Sequence, residues 1–310
     1  MSRRPLIVLG CAVLGALTLF AAGCGGGGGA TTRTAVLDET AGTTAATTVG
    51  GDGDTTSSTT TTTATPKVTH QTTELTPIPA SATGTVRVPI LMYHRVADPA
   101  PMRTEGERTL NVPPADFARQ MDWLRSHGFT TVTQSQLFSA LSGGAALPAK
   151  PVLLTFDDGY IDISKTVLPI LRARKMVGTA YVITSRVTGP DRAFMKFKAL
   201  RKIEAGGIEV GSHTVNHVDL TSLSSSALRE ELAGSRRTLE KGLGHPVQWL
   251  CYPAGRYDAT VEAMARETGY VLATTTEPGI THSASRPYAL SRVRISNTTG
   301  VSGLASAVAG

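Results

Sequence analysis

The run Leu154-Thr155-Phe156-Asp157-Asp158-Gly159-Tyr160 sets two carboxylates side by side where an apolar segment, Pro151 to Phe156, gives way to a turn. Adjacent carboxylates are costly unless something positive separates their roles. The usual solution is that one binds a cation and the other stays free to take a proton. Gly159 lets the backbone turn sharply after them. Asp-Asp-Gly is also ordinary turn chemistry, so the run needs company before it counts as a site.

Company comes at Ser212-His213-Thr214-Val215-Asn216-His217, behind a second short segment, Ile208-Glu209-Val210-Gly211. Histidines at i and i+4 can turn their rings to one point over a helical turn, and imidazole is the commonest protein ligand of zinc and its neighbours. Two histidines and one aspartate, with solvent in the remaining positions, make an open catalytic site rather than a closed structural one. The set also suits Co2+, Ni2+ or Fe2+. A third run, Trp249-Leu250-Cys251-Tyr252-Pro253-Ala254-Gly255-Arg256-Tyr257, bends irregularly at Pro253 and Gly255. Such a loop can aim a backbone N–H at a developing oxyanion, or simply join a strand to a helix.

Each run stands at the end of a predicted strand, where α/β sheets collect their sites. The elements around them alternate. Strands are expected at Val88–Tyr93, Thr130–Val132, Pro151–Phe156, Gly178–Ile183, Ile208–Gly211, Val247–Tyr252, Tyr270–Ala273 and Leu290–Ile295. Between them, helical spacing falls at Pro114–His127, Gln134–Leu141, Ile163–Lys175, Met195–Ala205, Ser224–Leu243 and Ala259–Thr268. This alternation predicts an α/β fold of parallel strands flanked by helices, most simply a distorted (β/α) barrel.

Thr155-Phe156-Asp157-Asp158-Gly159-Tyr160, His213-Thr214-Val215-Asn216-His217 and Tyr252-Pro253-Ala254-Gly255 resemble, in order, three motifs of the polysaccharide deacetylases, the NodB-homology or carbohydrate esterase 4 group. Val88-Pro89-Ile90-Leu91-Met92-Tyr93-His94-Arg95-Val96 is similar to the branch containing the poly-N-acetylglucosamine deacetylases. The resemblance covers about residues 86–296 and implies a NodB-type barrel. It implies Asp157 as general base, Asp158, His213 and His217 as ligands of one divalent ion such as Zn2+, and the Ala254 N–H as an oxyanion donor. Arg292 would orient the base. The third motif departs from the family, which usually has Arg at position 251 and an aromatic at 254. The C-terminal Leu-x-His that supplies the acid in many relatives is also missing: the only late histidine, His282, reads as part of a loop. The exopolysaccharide branch moves that motif to the front, which makes His94 the better acid, with His282 as the alternative. The implied activity is hydrolysis of N-acetyl groups on amino sugars of a cell-envelope or extracellular polysaccharide, releasing acetate. Two other readings use the same residues: a carbohydrate-binding lipoprotein with degenerate activity, and an O-acetyl esterase.

The 310 residues are not all available for a core. Basic Met1-Ser2-Arg3-Arg4, apolar Leu6 to Ala22 and Ala21-Ala22-Gly23-Cys24 predict a lipoprotein signal over 1–23, with Cys24 as the lipidated new terminus. Residues 24–84 are rich in glycine and threonine and too poor in large apolar residues to offset the entropy of ordering. They predict a disordered tether with a reach of about 40 Å. That leaves 85–300 as the catalytic domain and 301–310 as a tail. Cys251 remains as a lone thiol, so no disulfide is expected. The net charge is +6, but lysine and arginine are scattered, with no nucleic-acid module. The expected protein is monomeric and extracytoplasmic, membrane-held through Cys24 or, with an ordinary signal peptide, secreted, an uncleaved N-terminal anchor being the other alternative; its partner is a polysaccharide.

Overall fold

The computed structural model describes residues 72–309. The expected signal over 1–23, Cys24 and the tether up to residue 71 lie outside the described residues. Strands fall at β1 (Thr85–Arg87), β2 (Ile90–Tyr93), β3 (Thr130–Val132), β4 (Pro151–Phe156), β5 (Gly178–Val182), β6 (Ile208–Ser212), β7 (Trp249–Cys251), β8 (Leu272–Thr274), β9 (Thr281–Ser283) and β10 (Val293–Arg294). Helices are α1 (Glu105–Thr109), α2 (Pro114–Ser126), α3 (Gln134–Leu141), α4 (Leu168–Ala173), α5 (Thr184–Thr188), α6 (Phe197–Glu204), α7 (Ser225–Arg229), α8 (Ser235–Leu243), α9 (Ala259–Glu267) and α10 (Gly300–Ala309).

The main sheet runs β10-β2-β4-β5-β6-β7-β8, all parallel, with β3 also pairing β4. It curls until its ends nearly meet. The chain on either side of β10 bridges them: ahead of it Leu290 N–H donates to Ala273 O of β8, and after it Ile295 N–H donates to Met92 O of β2. The expected distorted barrel is therefore the observed one.

β4 explains the layering. Val152, Leu154 and Phe156 face outward into a core shared with Phe117, Met121 and Leu124 of α2. Leu153 faces inward against Ile90, Tyr181 and Trp249. A strand buried on both faces needs no polar alternation, hence its unbroken apolar start. Period-two geometry then carries Thr155 and Asp157 onto the inner face.

The structure departs from the sequence reading at several places. His282 lies in β9, paired antiparallel with β1, and not in a loop. The stretch expected as a tail over 301–310 carries α10, which buries Leu304 and Val308. Residues 72–84 already pack on the domain: Ile78 is buried and the Leu75 N–H donates to Gln248. Contacts with the domain thus reach ahead of the expected boundary at 85. The helix expected over Ser224–Leu243 is interrupted by a π-helical turn, Glu230–Gly234.

Candidate active site

Strand alternation delivers the site. His94 follows Met92 by two residues, Asp157 follows Thr155, His213 follows Gly211, and Arg294 follows Arg292. Each pair therefore shares the inner face. His94, Asp157, Asp158, His213, His217, Ala254 and Arg292 all line one cleft at the C-terminal ends of the strands. The structure thus brings together every residue that the sequence reading singles out for the site.

The two neighbouring aspartates receive different partners. Asp157 is buried and gripped by Arg292, whose two terminal nitrogens donate to Oδ1 and Oδ2 at 2.8 Å each. Arg292 is itself 1% exposed, anchored by Nε to Thr275 O (2.7 Å) and by Nη1 to Thr155 Oγ1 (3.2 Å). Burial would raise the Asp157 carboxyl, but the Arg292 charge and hydrogen bonds outweigh it and hold the group well below the usual carboxylate range. Cys251 joins this pair: its Sγ lies 3.1 Å from Arg292 Nη2 and 3.7 Å from Asp157 Oδ2. No guanidinium stands at position 251, and one arrives from Arg292 across the barrel.

Asp158 turns the other way, toward the histidines. Its Oδ1 lies 3.6 Å from His213 Nε2 and 3.8 Å from His217 Nε2, and one donor atom from each of the three residues falls within 4.8 Å of the others. Donors on a tetrahedral ion with bonds near 2.0 Å stand about 3.3 Å apart, and the two Asp158–histidine separations exceed that by only a few tenths of an ångström. His213 Nδ1 is bonded to the Cys251 carbonyl at 2.7 Å, which fixes the ring and leaves Nε2 to face Asp158. Burial pushes the His213 imidazole down, but Cys251 and both aspartates outweigh it and raise it to about 10. Surroundings that favour a proton there favour a cation, and the two compete for Nε2. His217 is shifted down, by burial first and then by His213. The donor set fits a divalent ion.

Backbone strain gathers at the same cleft. Among the described residues, non-glycine positive φ occurs at Asp158 (71°), Thr214 (67°), His217 (59°) and Ala254 (52°), and elsewhere only at Lys175. Left-handed φ costs roughly 1–2 kcal/mol per L-residue, and such cost tends to concentrate where geometry serves function. At Gly255 (φ 72°) a Cβ would collide with Thr276, so the turn that presents Ala254 requires glycine there.

His94 stands across the cleft, its Nε2 4.0 Å from Asp157 Oδ2. Burial lowers its pKa, with Asp157 and Asp158 pulling the other way. His282 is outside the cleft: it is 2% exposed, with Nε2 bonded to Val88 O at 2.8 Å.

Sequence reasoning missed the roles of Cys251, Thr214, Arg294 and Glu231. Cys251 is visible only as a departure from a motif. Thr214 Oγ1 accepts the His217 N–H at 3.1 Å, and its place inside the His-x-x-x-His run is a usable signal. Arg294 lines the cleft two residues beyond Arg292, which strand periodicity could have suggested. For Glu231 no local signal exists.

Comparison with known proteins agrees with this geometry. The profile of the family described as polysaccharide deacetylase matches residues 144–273. YxkH, a Bacillus subtilis protein assigned to the polysaccharide deacetylases, is 31% identical over 219 residues, 71% of this chain and 74% of that protein. A poly-beta-1,6-N-acetyl-D-glucosamine N-deacetylase of Escherichia coli is 35% identical over 107 residues, covering 34% of this chain and 15% of its own length. The structure of the Streptococcus pyogenes deacetylase PplD in complex with acetate superimposes with a TM-score of 0.67 at 30% identity, over 73% of this chain and 99% of that one.

Proposed function

Since the chain belongs to the polysaccharide deacetylase family, we propose that it hydrolyses N-acetyl groups from amino sugars of an envelope or extracellular polysaccharide, peptidoglycan or poly-N-acetylglucosamine, and releases acetate. The observation that carries this reading is the division of labour between adjacent aspartates: Asp157 is held ionised by Arg292, and Asp158 faces two imidazoles.

Asp158, His213 and His217 would hold one divalent ion, Zn2+ or a neighbour such as Co2+, Ni2+ or Fe2+. When bound, such an ion polarises the amide carbonyl and makes the attacking water more acidic. Asp157 takes the proton of that water. Each carboxylate oxygen keeps a lone pair beyond the one Arg292 occupies, so the clamp orients the base without consuming it. The Ala254 N–H donates to the tetrahedral oxyanion, for which a preorganised backbone donor costs no reorganisation during the reaction. His94, across the cleft, delivers a proton to the departing sugar amine.

The test is acetate release by the Zn2+-loaded protein from peptidoglycan, poly-β-1,6-N-acetylglucosamine and chitin oligomers. Release from one of these, lost in Asp157→Asn, is the expected result. Binding without release from any of them would leave a carbohydrate-binding protein instead. The enzyme would work outside the cytoplasm, tethered by lipid on Cys24. Among the described residues no helix is long and apolar enough to cross a membrane. With lipid on Cys24 as the membrane hold, Cys24→Ser should move the protein from membrane to medium, and an unchanged membrane fraction would refute the anchor.

A further inference from the structure

His213 and His217 bracket a loop whose shape decides whether their rings meet. Thr214 and His217 both sit at left-handed φ, so the segment does not favour this conformation by itself. Part of its support is local: Thr214 N–H donates to Ser212 Oγ at 3.1 Å and His217 N–H to Thr214 Oγ1. The Thr214 and Val215 carbonyls accept from the N–H groups of Thr184 and Ser185 at the start of α5. The two N–H groups in the middle, of Val215 and Asn216, converge on a single carboxylate oxygen, Glu231 Oε2, at 3.0 and 2.9 Å. The Asn216 side-chain amide donates to the other oxygen, Oε1, at 2.7 Å.

Glu231 is 7% exposed, and among the described residues no lysine or arginine pairs with it. A charge kept that far from water needs partners, and here the partners are the loop. It belongs to the π-helical turn Glu230–Gly234 between α7 and α8. A π turn inserts an extra residue and shifts the facing of the helix locally, a distortion that recurs at functional sites. Ser235, directly after it, bonds Ser212 Oγ at 2.7 Å. One helix thus grips the loop at its start and at its middle.

We infer that Glu231 is a positioning residue for metal binding: its carboxylate holds residues 214–217 in the conformation that turns His213 and His217 toward Asp158, and so sets the affinity for the ion. The inference rests on reading those three residues as the metal ligands. Neither the motifs nor the ligand chemistry requires an acid at this position.

The experiment measures Zn2+ affinity of the full chain by competition with a chromophoric chelator, for wild type, Glu231→Ala and Glu231→Gln. Partners that orient ligands typically contribute roughly 10–100-fold to metal affinity. Glu231→Ala should lose that much. Glu231→Gln should fall between, because its amide oxygen still accepts from the two backbone N–H groups. Turnover of both variants should return toward the wild-type value at excess Zn2+, a rescue that a collapsed fold would not show. If Glu231→Ala does not fold, Glu231→Gln decides alone. Wild-type affinity in every variant that folds overturns the inference. A wild type that takes up no ion removes the metal reading and this inference with it.

Discussion

The two ends of β2 treat a buried histidine in different ways. At one end His282 reaches from β9 to bond Val88 O; at the other, about 20 Å away at the usual strand rise, His94 faces the cleft. Burial lowers the pKa of both. They differ in what the reactive nitrogen meets. His282 Nε2 is committed to a carbonyl, with no carboxylate acting on it, whereas His94 Nε2 lies 4.0 Å from Asp157 and feels Asp158 as well. A ring committed to the backbone holds strands together. A ring that looks across an open cleft at two acids can move a proton. The same contrast extends to the backbone: among the described residues, three of the five left-handed non-glycine residues, Asp158, His217 and Ala254, line the cleft at the His94 end, and a fourth, Thr214, directly follows His213 there.

The largest effect should come from the centre of the cleft. Asp157→Asn is expected to abolish acetate release while leaving bound metal, by elemental analysis, unchanged; surviving activity would assign the base elsewhere. His213→Ala and His217→Ala should each lose the ion, and metal retained in both would detach the imidazoles from metal binding. His94→Ala should lower turnover by about 10²–10⁴ at constant metal content. Activated aryl acetates, whose leaving groups need no proton, should suffer less than amides. His282→Ala should leave turnover near wild type but lower stability by roughly 1–3 kcal/mol, through the lost bond and the carbonyl left buried, read from urea unfolding. An essential His282 with a dispensable His94 would invert the whole comparison.

The smallest effect concerns pH. Because burial depresses the folded pKa of His282, the unfolded chain binds its proton more readily below about pH 6.5. Protons bound in the unfolded state then exceed those in the folded state, so this contribution is complete above that pH and is lost as pH falls through the folded value. His282→Gln, which does not titrate, should lose less Tm between about pH 7 and pH 5 than wild type. An unchanged slope would mean that this end of β2 is not where the proton enters.

Much of the cleft could be read from short runs. Asp157-Asp158, the His213 and His217 pair, and the turn at Ala254 are local patterns at strand ends, and spacing alone predicts that each faces a shared site. The alternation of strands and helices likewise announced the barrel. Errors fell where local pattern is silent. Gly300–Ala309 looks like a tail until its two buried residues find α2, and His282 looks like a loop residue until β1 pairs with β9.

The sequence by itself determined the residue types of the site, the parallel α/β order and the family resemblance, because these depend on spacings of a few residues. Only the tertiary structure decided which distant groups meet. Arg292 reaches Asp157 across 135 residues because the chain on either side of β10 joins the two ends of the curled sheet. The same joining sets Cys251 beside both. Glu231 meets the histidine loop because a π turn changes which way one helix faces. Strand register, sheet curl and helix phase are properties of the whole assembly, and no short window of residues contains them.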